Sequence, residues 1–189
     1  MDFILNLDKS LLYYVNSVWT TSWLDAFFPA ITDLHKQFWF QIFIVVLMLG
    51  LFIWKFRKEG LFVFLTLVIA MASSDLVGNH LFKQTIARPR PAETLGQSVI
   101  VRAPYGGYSF TSNHAANMFC LAKFTAEMIP QVRIPFYVAA ILVSYSRVYN
   151  GVHYPTDVLG GGILGWLIGW AFSALCMQGL KKLRKRFAS

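Results

Sequence analysis

Charge is what this sequence has least of. Of its 189 residues only 14% are charged and only 9 are acidic, whereas ordinary soluble domains run to about 25% charge. Intrinsic disorder is excluded, because a disordered chain stays solvated through high charge and low hydrophobicity. Cysteine is also scarce. Cys120 and Cys176 are the whole complement, each inside an apolar run, which rules out a disulfide scaffold and points to buried free thiols. Internal repeats, low-complexity tracts and a linker long enough to separate domains are missing too. Residues 1–189 therefore read as one domain.

What is present is apolar and aromatic surface. The chain is 56% apolar, with 17 Phe, 8 Tyr and 6 Trp. A soluble globule of this size buries only about 70% of its unfolded surface, so the excess would be left facing water. Lipid is the solvent that suits it. The fold class expected is all-α, a polytopic transmembrane helical bundle. Five spans are expected, over residues 38–54, 61–77, 115–129, 134–149 and 158–177, each close to the roughly 17 to 25 residues a membrane helix needs. Pro130 and Pro135 bound the fourth, and Pro155 suits the first turn of the fifth. Residues 11–31 are apolar but carry Asn16, Asp25 and Pro29. They read as short interfacial helices with Trp19 and Trp23 at headgroup level, an imperfect sixth span being the alternative. The first residues lack the basic region and the small-residue cleavage site of a signal peptide.

Basic residues of short loops are retained on the cytoplasmic side. Lys55, Arg57 and Lys58, then Arg133, then the tail from Lys181 to Arg186 fall by parity on one face. Residues 83–113 and 147–157 fall together on the opposite, outer face. The tail and the net charge of +8 are explained by topology and contact with anionic membrane lipids, so no nucleic-acid partner is expected. Gly161, Gly165, Gly169 and Ser173 form a small-residue stripe in the last span. Such a stripe lets a neighbouring helix approach closely, and packing within the bundle is expected over dimerisation.

The reactive side chains collect in three segments at the outer ends of spans. Lys83, Arg88 and Arg90 form the first, Ser109 to His114 the second, and Ser146 to Asp157 the third. A phosphoryl group spreads its negative charge over several oxygens, and a site clamps it with guanidinium forks, an ammonium and backbone N–H groups. Lys83, Arg90 and Arg147 supply the cations. Ser112 at the N-cap of the third span leaves the N–H groups of Asn113 and His114 free for an anion, with its hydroxyl as a further donor. His153 lies four residues before Asp157. A carboxylate bonded to one ring nitrogen fixes the tautomer and frees the other lone pair for attack on phosphorus. His114, from a different helix, then protonates the departing oxygen and assists water in the second half-reaction. Zinc is the competing reading of the two histidines, and it is weak: no cysteine is near, Glu93 and Asp157 lack ligand spacing to both rings, and the cations repel a dication. His35 and His80 read as interfacial and structural.

In these segments the sequence resembles the type-2 phosphatidic acid phosphatase superfamily, the integral-membrane group related to glucose-6-phosphatase and the vanadium haloperoxidases. Lys83, six residues, then Arg90-Pro91 fits the first family motif, a spacing that Arg88-Pro89 does not fit. Thr111-Ser112-Asn113-His114 stands for the second, usually Pro-Ser-Gly-His. Ser146, Arg147, His153 and Asp157 match the third fully. The resemblance covers residues 60–175 or so and implies a lipid phosphatase using no metal and no cofactor. It implies a lipid phosphate or diphosphate reached from the outer leaflet of a bacterial inner membrane. Lipid A 1-phosphate, undecaprenyl diphosphate and phosphatidylglycerophosphate are the candidates, and oligomeric state stays open. A vanadate-binding haloperoxidase-like enzyme and an anion transporter are the other classes that use such cations.

Two further features carry expectations. Asp75, Asn79 and Lys83 recur every four residues, which places them in line on one helix face, turned away from lipid. Asp75 is expected in a structural role. Arg102, Tyr105 and Tyr108 lie beyond the phosphate-binding residues, either anchoring the loop at the interface or contacting the headgroup.

Overall fold

The computed structural model describes residues 2–188, and among them the chain is helical with no strand. Helix α1 (Asp2–Tyr13) runs on through a π-helical turn at Tyr14–Val18, and α2 spans Ser22–Asp33. Residues 11–31 are therefore two helices and not one continuous span. The break falls after Trp19, where Thr21 caps α2 by accepting a hydrogen bond from the Leu24 N–H at 3.3 Å. A single turn, Leu34–Lys36, follows α2.

Helices α3 (Phe38–Phe56) and α4 (Gly60–Leu76) form a tight antiparallel pair through Arg57–Glu59. Glycine is needed at position 60, since a Cβ there would lie 2.6 Å from the Ile53 backbone. After α4 the helix widens to a π-helix over Val77–Lys83, then ends in α5 (Gln84–Ile86) and the left-handed Ala87. A short α6 (Pro91–Leu95) begins at a proline, as helices favour. Helix α7 (Asn113–Met128) and α8 (Arg133–Tyr149) form the next pair, and α9 (Pro155–Ala188) is a single helix of 34 residues.

Two stretches among the described residues are long and apolar enough to cross a membrane, Phe38–Ser98 and Pro155–Lys185. The first contains α3 and α4 folded back on each other. At 16 and 17 residues, α7 and α8 fall short of that measure. Helix α7 has a physical reason to be less apolar. Ala115, Ala116, Cys120, Ala122, Phe124 and Thr125 are all buried along it, so it meets protein more than lipid and needs no lipid-facing surface of its own. The helical membrane class holds, while the count of five spans remains a sequence expectation.

The glycine stripe of α9 packs on α7. A Cβ at Gly161 would lie 2.4 Å from the Ser112 carbonyl oxygen, one at Gly165 1.8 Å from that of Ala116, and one at Gly169 2.7 Å from that of Cys120. The stripe therefore acts within the bundle, bringing the start of α9 against the start of α7. Two cores result. Met48, Phe52, Val63, Leu67, Phe124, Met128 and Cys176 fill one end of the bundle. Leu12, Val15, Phe28, Val148, Tyr149 and Tyr154 fill the other.

Candidate active site

The second core supports a polar cavity of about 330 Å³ lined by Lys83, Arg90, Asn113, His114, Arg147 and His153, with Lys36, Pro104, Tyr105 and Gly106. All three polar sequence segments thus meet in one place.

His153 sits in the sharp connection between α8 and α9. Gly151 there has φ +71°, and a Cβ on it would strike the Ile100 carbonyl oxygen at 2.6 Å. The imidazole is 2% exposed. Its Nδ1 faces Asp157 Oδ2 at 3.5 Å, longer than a formed hydrogen bond of about 2.9 Å, as apo catalytic contacts often are. Burial, reinforced by Arg90 and Arg147, pulls His153 down to about 4 against the opposing effect of Asp157. The ring is therefore neutral near pH 7 and its lone pair is available.

Asp157 is fully enclosed. Its Oδ2 accepts hydrogen bonds from the Ser109 hydroxyl and the Tyr154 N–H, and its Oδ1 accepts from Arg88 Nη1 at 2.7 Å. Arg88 in turn donates from Nη2 to Asp8 Oδ2 at 2.6 Å. Asp8 also accepts from the backbone N–H and the hydroxyl of Thr156. Arg88, set aside by motif spacing, is thus the clamp on Asp157, and Asp8 from α1 anchors that clamp. Sequence reasoning had two signals for this pair: a second arginine in Arg88-Pro89-Arg90-Pro91, and an acidic residue placed among the apolar residues of α1.

The start of α7 faces the cavity. Ser112 is the N-cap residue, but its side chain makes no cap bond and its Oγ is buried without a partner among the described residues. Its own N–H donates to the Asp157 carbonyl at 3.0 Å. Asn113 is the first residue of α7, so the residue standing for the family glycine needs no left-handed backbone. Its side chain fits because position 78 is glycine, where a Cβ would lie 2.8 Å from Asn113 Oδ1. Asn113 Nδ2 and Asn117 Nδ2 both donate to Asp75 Oδ1 at 3.0 Å. Asp75 therefore braces the start of α7. A π-helix runs from Val77 through Lys83, inside the expected line of Asp75, Asn79 and Lys83. Lys83 lines the cavity, Asp75 serves α7, and Asn79 is exposed.

The two motif arginines differ. Arg147 in the last turn of α8 donates from Nη1 to Thr32 Oγ1 at 2.7 Å, and its Nε has no partner among the described residues. Its fork is largely free. Arg90 is committed to carbonyl oxygens instead: Nε donates to Gly107, Nη1 to Val152 at 2.6 Å, and Nη2 to Gly106 and Tyr108. Nη1 also lies 3.3 Å from His153 Nε2. Arg90 thus holds the loop over the cavity and touches the nitrogen expected to attack. Arg102 is not at the cavity. It pairs with Asp25 at 2.8 Å and donates to the carbonyls of Asn16 and Tyr149, which makes it a tie between the N-terminal helices and α8. His114 Nε2 is buried without a partner among the described residues, and the ring of His35 stands edge-to-face on it at 4.8 Å. Thr32, His35 and Lys36 were not anticipated as site residues. The polar Thr-Asp-X-His-Lys string closing an apolar helix was the available signal.

A membrane-embedded helical bundle whose cationic cavity pairs a buried imidazole–carboxylate with a helix N-terminus belongs to a narrow class, the integral-membrane phosphatases. The family model described as the PAP2 superfamily matches residues 63–181, and the chain belongs to that family. It is 33% identical over 178 residues to a lipid A 4'-phosphatase of Porphyromonas gingivalis, covering 89% of this chain and 72% of the relative. It is 33% identical over 159 residues to phosphatidylglycerophosphatase B of Bacillus subtilis, covering 77% of this chain and 72% of the relative. Its fold matches the crystal structure of a transmembrane PAP2-type phosphatidylglycerolphosphate phosphatase from Bacillus subtilis with a TM-score of 0.71 at 24% identity, over 94% of this chain and 88% of that one. The protein is an integral-membrane lipid phosphatase, a hydrolase of phosphate monoesters or diphosphates.

Proposed function

We propose that the protein hydrolyses a lipid phosphate or diphosphate through a phosphohistidine on His153, at the outer face of a bacterial inner membrane. The observation that carries this reading is the buried His153, backed by Asp157 and facing the start of α7 across a cavity edged by cations. Lys83, the free fork of Arg147, the Ser112 hydroxyl and the N–H groups of Asn113 and His114 bind the phosphoryl oxygens. Arg90 yields its contact with His153 Nε2 as the phosphoryl group enters, and then serves as a further ligand. The Nε2 lone pair attacks phosphorus while the bond from phosphorus to the lipid oxygen breaks and that oxygen takes a proton from His114. His114 has to enter this step as the imidazolium, because burial and the neighbouring cations hold it neutral until the phosphoryl group arrives with a proton. In the second half, water gives a proton back to His114 as its oxygen attacks phosphorus, the N–P bond breaks and phosphate departs. Asp157 stabilises the positive charge on the imidazole in both halves.

Sidedness is supported by the basic residues at the opposite end of the bundle, where Arg184 of the tail donates to Glu59 in the turn between α3 and α4. Lipid A 1-phosphate, undecaprenyl diphosphate and phosphatidylglycerophosphate remain the candidate substrates. The test is phosphate release from each purified lipid in the presence of EDTA, with acid-labile phosphate trapped on His153 by rapid quench. Release that survives His153→Ala would overturn the mechanism. For the side, Gln97→Cys should label with an impermeant thiol reagent applied outside while Lys182→Cys should not, and the native Cys120 and Cys176 are buried. The reverse pattern would put the site on the cytoplasmic face.

A further inference from the structure

The family match begins at residue 63, yet one wall of the cavity comes from an earlier part of the chain. The turn that closes α2 carries Thr32, Asp33, His35 and Lys36. Its place is set by contacts with motif residues on two other helices. Thr32 Oγ1 accepts the 2.7 Å hydrogen bond from Arg147 Nη1. The Thr32 carbonyl accepts from His35 Nδ1 at 2.8 Å, and the His35 ring rests on that of His114. Thr32 is 1% exposed, so the base of the turn is locked and Lys36 projects from a fixed position.

Lys36 lines the same cavity as Lys83, Arg90 and Arg147, and no carboxylate among the described residues lines it. Lys83, Arg90 and Arg147 already exceed what a single phosphoryl dianion neutralises, and Lys36, paired with Asp33, adds a fourth cation. Depth separates their work. His153 lies at 2% exposure where phosphorus must sit, whereas the Lys36 side chain is 46% exposed and so marks the mouth of the cavity. The Lys36 ammonium rests 2.7 Å from Asp33 Oδ1, a partner that holds it in place until a stronger anion arrives.

We infer that Lys36 binds a second anionic group of the lipid headgroup, next to the phosphate that is hydrolysed. The preferred substrate class is then a diphosphate or doubly phosphorylated lipid, in place of phosphatidic acid with its single phosphate. This rests on the reading of the cavity as the phosphate site. The Asp33 carboxylate gives up the ammonium, the second anion takes it, and the turn itself stays pinned by Thr32.

Lys36→Met keeps the length and apolar stem of the side chain and removes the charge. Purified in a neutral detergent free of anionic lipid, wild type and variant are compared by kcat/KM on phosphatidylglycerophosphate and phosphatidic acid. The ratio of the two should fall about 10-fold in the variant, the loss of one charge-assisted contact. An unchanged ratio, whether from equal losses or from none, overturns the inference. So does a change seen only when phosphatidylglycerol vesicles are added, which would assign Lys36 to the bilayer surface. Calorimetric binding of inorganic pyrophosphate against inorganic phosphate reads the same site without turnover. Wild type should prefer pyrophosphate and Lys36→Met should lose that preference; a retained preference overturns the inference. Should no lipid release phosphate from the wild type, the phosphatase mechanism fails, and the binding comparison still decides the role of Lys36.

Discussion

The two ends of the bundle hold the same helices by different means. At the basic end, Met48, Phe52, Val63, Leu67, Phe124 and Cys176 form an apolar core. At the cavity end, Asp8, Arg88, Thr156 and Asp157 form one chain of largely buried contacts, and Asn16, Asp25, Arg102 and Tyr149 form another that reaches the surface at Asp25. Apolar packing is non-directional and tolerates small shifts. Hydrogen bonds fix angles and distances, and leaving one unmade in a buried place is costly. The cavity end therefore adds to its own apolar core a set of contacts that fix the place of each side chain, whereas the far end rests on apolar cohesion.

That contrast is broken if activity and stability fail together at both ends. The largest effect is expected at His153→Ala, with turnover reduced by about 1,000-fold or more and the melting temperature little changed. Its counterpart is Phe124→Ala in the apolar core, which should cost about 3 to 5 kcal/mol of stability. The surviving folded fraction should keep nearly the wild-type kcat. A catalytic loss per folded molecule in Phe124→Ala would show that the ends are not separable. Next comes Arg147→Lys, where loss of the planar fork should lower kcat/KM by about 100-fold to 1,000-fold, read by steady-state kinetics.

Arg88→Lys sharpens the comparison, because Arg88 touches Asp157 and not the cavity. Lysine can meet only one of Asp8 and Asp157 well, so kcat should fall about 10-fold to 100-fold with KM nearly unchanged. A rise in KM with kcat intact would make Arg88 a substrate ligand. The pH profile tests His153 directly. Its value of about 4 in place of 6.5 means that the neutral nucleophile persists on acidification, so the acid limb of kcat/KM should lie near pH 4. The sign for stability follows from the same shift. The unfolded chain binds the proton first, so His153 destabilises the fold progressively as pH falls from 6.5 towards 4. An acid limb at 6.5 would mean an exposed ring. The smallest effect is expected at the basic end, where Arg184 is 59% exposed in its pair with Glu59. Arg184→Ala should change stability by only about 0 to 1 kcal/mol.

Much of the site was legible because its parts are short local strings. The spacing from Lys83 to Arg90 and from His153 to Asp157, and the placement of Ser112 before an apolar run, can each be read without knowing where the chain goes. As its motif spacing implied, Arg88 does not line the cavity, but motif spacing is silent about which carboxylate lies nearby and so could not show its contact with Asp157. For Arg102 the sequence left two roles open, anchoring the loop at the interface or contacting the headgroup. In the structure its guanidinium faces Asp25, a partner 77 positions earlier in the chain.

By itself the sequence determined the membrane class, the helices and the three strings of reactive residues. Those follow from composition and local period, which act within a turn or two of the chain. Tertiary structure alone decided that Lys36 lines the cavity and that Asp8, Thr32 and His35 brace its surroundings. Asp8 meets Thr156 across 148 positions and Thr32 meets Arg147 across 115. Such contacts depend on how α1 and α2 dock against α8 and α9. No local pattern encodes that, because one buried polar residue in an apolar helix shows that a partner is needed without showing which one.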